Sequence, residues 1–175
     1  NGDVSYIAGG NLAVVQLPTH AGEAIGLSAG DSLVVVSPMN LGSTGSLTAS
    51  AVNSMTLGGL VTAGSLTASA GDDLTLTTAV SQLSVALTGA ESDFVLRQTG
   101  EIHITSLQLA GGDITIEVDG DITIDAISGS AGDITILSRG GSITIGGSAA
   151  TAAHAGTVKL TARDGAISAV LDADL

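Results

Sequence analysis

One short phrase recurs and limits what this chain can fold into. It reads Gly-Asp-Ile-Thr-Ile at 112–116, at 120–124 and at 132–136, then Gly-Ser-Ile-Thr-Ile at 141–145. In each copy two β-branched apolar residues flank one small polar residue, behind a glycine and a carboxylate or hydroxyl. Alternation with period two is the pattern of a strand with one buried face, and the glycine ahead of it marks a turn. The first two copies stand eight residues apart and the third twelve further on, so two strands recur about every twenty residues. A period of that size points to a solenoid, in which each repeat buries its apolar face only against its neighbours.

The period extends along the whole chain. We take the first apolar residue of each strand as its anchor. One set of anchors is Val4, Ile25, Leu47, Leu66, Leu83, Ile102, Ile122, Ile143 and Ile167; a second is Leu12, Leu33, Met55, Leu74, Phe94, Ile114, Ile134 and Val158. Steps within a set run from 17 to 24 residues. The offset between sets is eight in the first four repeats, eleven or twelve in the next three and fifteen in the eighth. The closest internal match is Gly-Ser-Leu-Thr-Ala-Ser-Ala at 45–51 and again at 64–70. Small insertions between stacked strands account for the drift, because loops tolerate them.

These spacings predict an all-β parallel β-helix (β-solenoid) of about nine rungs, each of roughly 20 residues, with the last rung incomplete. The outer residues of each strand, such as Ile114 and Ile116, should face inward, and the middle one, Thr115, outward. Rungs about 4.8 Å apart would place Ile102, Ile122, Ile143 and Ile167 in one interior column, and Ile114, Ile134 and Val158 in another. The rod would be on the order of 40 Å long. One segment, 1–175, is expected, with less regular rungs over 1–44, regular ones over 45–145 and longer loops over 146–175. In the first part, strands at 4–7, 12–17, 25–27 and 33–36 are joined by turns at 18–22 and 37–42. Those turns hold both prolines, Pro18 and Pro38, outside the ladders. A run of small residues at 146–155 lengthens one corner. The opening Asn1-Gly2-Asp3-Val4 is already in register with Gly100-Glu101-Ile102, and neither end carries an amphipathic cap. The chain is therefore expected to be part of a longer or processed protein.

Composition agrees with a narrow coil. Apolar residues make up 44% of the chain, yet Tyr6 and Phe94 are its only aromatics, and glycine numbers 25. A broad sandwich usually recruits more aromatic volume. No apolar run approaches the eighteen or so residues of a membrane helix. Seventeen acidic residues face four basic ones (Arg97, Arg139, Lys159 and Arg163), a net charge of −13. That balance argues against nucleic acid and anionic lipid, which need clustered cations, and the lack of a long apolar run argues against membrane insertion. Cysteine is absent, so disulfides contribute nothing.

Candidate chemistry is sparse, and no catalytic, cofactor-binding or metal residue is nominated. His20, His103 and His154 fall in different rungs without a repeated carboxylate or cysteine partner, so each reads as a surface residue. Asp119, Asp121 and Asp125, with Asp113 nearby, could suggest the carboxylates of a β-helical polysaccharide-cleaving enzyme. The segment itself offers neither basic residues nor aromatic platforms for sugar, and corner aspartates holding turn amides are the simpler reading. A stacked pair such as Glu101 over Asp121 costs only about 1 kcal/mol at 5 Å in water. Burial of one isoleucine contributes roughly 1.5–3 kcal/mol, so no metal is needed to hold the acidic columns. Calcium is the one cofactor with any claim, although the nonapeptide signature that binds it is absent. Outward threonines pair as Thr48 with Thr67, Thr56 with Thr75, Thr115 with Thr135 and Thr123 with Thr144, in the manner of ice-binding coils. The columns break at Ser84, Val95, His103 and Lys159, and ordinary β-propensity explains them.

Rungs of Gly-Asp-Ile-Thr-Ile, Gly-Ser-Leu-Thr-Ala and Gly-Asp-Asp-Leu-Thr-Leu resemble the repeats of filamentous-haemagglutinin-like large exoproteins of Gram-negative bacteria. So do Tyr6-Ile7-Ala8-Gly9-Gly10 and Ala29-Gly30-Asp31-Ser32-Leu33. The likeness covers nearly the whole chain. It implies a right-handed winding, secretion (often through a dedicated outer-membrane partner) and a role in attachment, biofilm or fibre formation. It carries over no site residues, and the secretion-domain signature of such proteins is not evident here. The expected role is the non-enzymatic shaft of a secreted or cell-surface adhesin. Its expected contacts are neighbouring repeats of the same chain and a host or matrix surface. The alternatives are an extracellular filament subunit that self-associates end to end through terminal rungs, a β-helical polysaccharide enzyme and a calcium-binding module.

Overall fold

The computed structural model describes residues 3–17, 20–146 and 156–169. Pro18, His154, most of the small-residue run at 146–155 and the last six residues lie outside the described residues. The described chain is all-β: sixteen strands join into one sheet wound on itself, and no helix occurs among them. Every pairing is parallel. Parallel neighbours about a turn apart in sequence are the mark of a β-solenoid.

From Ala24 to Ile145 each turn carries three strand faces, where the spacing of anchors suggests two. The first face stacks Val4–Ala8, Ala24–Ala29, then residues 46–51, 65–70, 82–87 and 103–109, and ends on Ile127–Gly129. The second stacks Leu12–Val14, Leu33–Val35, residues 55–57 and 74–78, Phe94–Gln98, Ile114–Val118, Ile134–Ser138 and Val158–Ala162. The third holds residues 39–42, 61–63 and 78–80. It resumes at residues 102–104, of which 103 and 104 also pair back to Gln82 and Leu83 at the bend, followed by Ile122–Ile124, Ile143–Ile145 and Ile167–Ala169. In Met39–Ala51, Met55–Ala70 and Leu74–Leu87 the chain passes from face to face within one continuous strand, with register shifts at the bends.

The third face corrects the count of turns. The second set of anchors holds throughout: Leu12, Leu33, Met55, Leu74, Phe94, Ile114, Ile134 and Val158 pair in an unbroken ladder of eight strands. The first set does not. Val4 to Leu83 lie on the first face, whereas Ile102, Ile122, Ile143 and Ile167 form a column on the third. Leu83 pairs with Ile104, so Leu83 and Ile102 belong to one turn and had been counted as two. The coil has about eight turns, and seven steps of about 4.8 Å give a rod of about 34 Å.

Packing follows the alternation. Ile114, Ile116, Ile122, Ile124, Leu74 and Phe94 are all at most 1% exposed, while Thr115 and Thr123 between them are half-buried on the outside. The predicted threonine neighbours all pair, and their columns break where expected, with Thr67 beside Ser84, Thr75 beside Val95, Thr123 beside His103 and Thr135 beside Lys159. Glycine turns the tightest corners. Gly112 has φ of +74°, and a Cβ there would run into the carbonyl of Ser92 one turn away. Only glycine meets both demands.

Candidate functional surface

The corners carry most of the polar chemistry. Ahead of the second face, Asp73, Asp93, Asp113 and Asp133 stack turn upon turn. Asp93 N–H donates to Oδ1 of Asp73 at 3.0 Å, Asp113 N–H to Asp93 at 2.8 Å, and Asp133 N–H to Asp113 at 2.9 Å. Thr157 N–H closes the series on Asp133 at 2.7 Å. A second series stands ahead of the third face, where Ser142 N–H donates to Asp121 at 2.7 Å and Ala166 N–H to the hydroxyl of Ser142 at 3.1 Å. Strand backbones are bonded from turn to turn, but the residue entering a strand has a free N–H, and the side chain below accepts it.

The suspected carboxylate cluster is thereby dispersed. Asp113 and Asp121 cap different corners, Asp119 lies 3.7 Å from the Arg139 guanidinium, and Asp125 Oδ2 accepts from His103 Nε2 at 2.7 Å. Arg97 and Arg139, from the turns before and after, flank Glu117 at 3.9 and 3.1 Å. The basic residues missing from the acidic segment itself thus arrive from neighbouring turns. These groups are well exposed, and each such pair contributes only about 0.2–1 kcal/mol.

Two histidines have carboxylate partners that the sequence did not reveal. His20 bonds Glu23 within its own turn, through Nδ1 at 3.1 Å and through its backbone N–H at 2.9 Å. His103 reaches Asp125, twenty-two residues on, across to the next turn. Asp125 can orient the imidazole as in a general-base pair. His103 also lines a shallow groove of about 210 Å³ with Ser81, Glu101, Ile102, Asp121 and Thr123. Glu101 and Asp121 give this groove negative character. Among the described residues no three His, Asp or Glu side chains converge as a metal-holding group.

Comparison with known proteins adds no relative. No family model matches the chain, and neither a curated protein nor a solved structure does. No helix among the described residues is long and apolar enough to cross a membrane.

Buried polar groups are few, and sequence reading missed them. Thr78, Ser92, Gln98 and Ser138 are at most 4% exposed. Ser138 donates to the carbonyl of Gly120 at 2.8 Å and accepts from Gly141 N–H at 3.0 Å, tying a glycine corner to the strand beside it. The Gln98 amide lies within hydrogen-bonding distance of five groups on Thr78, Val80, Thr99 and Glu101, its two N–H shared among three carbonyls. Its inward position shows only in the register with Val118 and Ser138.

Proposed function

We propose that the chain is the shaft of a secreted or cell-surface bacterial adhesin or exoprotein, serving attachment, biofilm or fibre formation without catalysis. The observation that carries this reading is the unbroken eight-strand ladder of the second face. A stack of this kind converts sequence into length: each added turn extends the rod by about 4.8 Å and buries its own apolar residues. Most outward positions are small and polar or acidic, although Ile7, Val15, Val36 and Val52 are also exposed. The repeat resemblance described above supports the biological setting and a right-handed winding. Immunogold labelling of the producing bacterium tests the proposal. Label on the cell surface or on extended extracellular material is expected; label confined to the cytosol would overturn it.

A second reading, a filament subunit adding end to end, draws on Ile167. This residue is 47% exposed, although Ile122 and Ile143 in the same column are buried. Another coil seated on such an apolar column is what end-to-end growth requires. Electron microscopy of purified protein separates the readings, with isolated short rods for the shaft and regular polymers for the filament.

A further inference from the structure

We infer that Gln98 latches a joint within the coil, at which the rod opens and bends ahead of the turns on either side. This goes beyond the proposed role and stands on the strand register and the hydrogen bonds of Gln98.

The joint follows the shortest turn among the described residues, after turns of nineteen to twenty-two. Before it, Val61 pairs with Thr78 and Ser65 with Gln82, seventeen residues apart. After it, Ile102 pairs with Ile122 and Leu107 with Ile127, twenty apart. The turn between absorbs the mismatch in two places. Thr78 stands opposite Gln98, twenty residues on; Gln82 stands opposite His103, twenty-one on; Ser84 stands opposite Ser106, twenty-two on. Backbone pairing on the third face therefore lapses over residues 79–81, between the ladder that ends at Thr78 and the one that begins at Gln82.

Side chains stand in for the missing backbone. The Gln98 amide accepts from Val80 N–H at 3.3 Å and donates to Val80 C=O at 2.9 Å, as a neighbouring strand's peptide would. Its Oε1 also takes the Thr78 hydroxyl at 2.7 Å, and its Nε2 reaches the carbonyls of Thr99 and Glu101, both at 3.1 Å. At the second misfit the Thr105 hydroxyl donates to Leu83 C=O at 3.2 Å. The outer surface bears the same mark, since the groove formed by Ser81, Glu101, Ile102 and His103 lies over the lapse. Elsewhere on the third face, as from Ile102 through Ile122 to Ile143, backbone bonds hold the turns together. At the joint one buried amide does so. Without it, Val80 has a buried N–H and C=O with no partner, and local opening is the way to reach water.

Hydrogen exchange read by mass spectrometry tests the latch. In Gln98→Ala, peptides spanning 78–82 and 99–103 should exchange about tenfold faster than in the wild type or more. Peptides spanning 55–57 and 134–138 should keep their wild-type rates. Acceleration spread evenly over the chain, or none at the joint, would overturn the inference. Gln98→Met fills the same space without the amide and should behave like the alanine variant. If neither variant folds, the wild type in low urea decides. Exchange at the joint ahead of both flanks supports the latch, and one concerted opening of the whole chain refutes it.

Discussion

Asp113 tests whether the acidic corners are caps or the remnants of a binding site. Its own N–H is held by Asp93, and its carboxylate holds the N–H of Asp133. Loss of a comparable capping acceptor costs about 1 kcal/mol. Against this stands repulsion from the carboxylates above and below. At a spacing of about 4.8 Å, each neighbour contributes about 0.9 kcal/mol in water, and less once salt screens the exposed corner. Asp113→Ala removes both effects, whereas Asp113→Asn removes the charge and keeps an acceptor. The two variants should therefore differ by about 1 kcal/mol in favour of Asn, at low and high salt alike. For a chain of this size that is about 2–4 °C in Tm. Relative to the wild type, both should look better at low salt than at high salt, because only repulsion is screened. Thermal melts of the three proteins at two ionic strengths supply the comparison. Equal stability of the Ala and Asn variants would refute the capping argument.

The remaining predictions concern core, corner and surface. Ile122→Ala, which empties part of a column buried between Ile102 and Ile143, should cost about 2–5 kcal/mol, and Ile122→Val about 0.5–1.5 kcal/mol, by denaturant unfolding. Gly129→Ala should lower Tm markedly, because φ is +98° and the new Cβ would meet the Leu109 carbonyl. Gly9→Ala, with nothing within 4 Å of the added atom, should leave Tm nearly unchanged. Arg139→Ala, which removes the contacts to Glu117 and Asp119, should shift the urea midpoint by the equivalent of about 0.2–1 kcal/mol per pair, with the shift fading in high salt.

The second face was legible residue by residue, because most of its strands enter through a polar or glycine corner and begin with a large apolar residue. The third face was hidden by coincidence. Leu83 and Ile102 are nineteen residues apart, within the range of the true repeat, yet they occupy two faces of one turn. Periodicity reports how far apart similar residues lie and says nothing of which side of a coil they occupy. The change of offset gave no guide, because it is already eleven at Leu83, which is still on the first face. Asp113, Asp121 and Asp133 were readable as caps because each follows a glycine, whereas Asp73 and Asp93, which follow Asp72 and Ser92, were not. Gln98 was not readable, since Arg97-Gln98-Thr99 looks like any polar corner, and its inward position emerges only from the register with Ile114–Val118. The partners of His103 and Arg139 were missed for a similar reason. Both pairs span twenty-two residues, one turn and two more, so they appear only once the stacking is known.

The stacking itself is open to direct measurement. The chain has no cysteine, so spin labels can be placed singly or in pairs. Ala13, Val34, Thr56, Thr75, Val95, Thr115, Thr135 and Lys159 follow one another across the outside of the second face. Double electron–electron resonance on Ala13→Cys with Lys159→Cys should give a backbone separation of about 34 Å, seven steps of the ladder. Thr56→Cys with Lys159→Cys should give about 24 Å, five steps. Distances that follow the number of turns in this way are what a continuous coil requires. Separations that ignore the count of turns, or a broad distribution for both pairs, would contradict it.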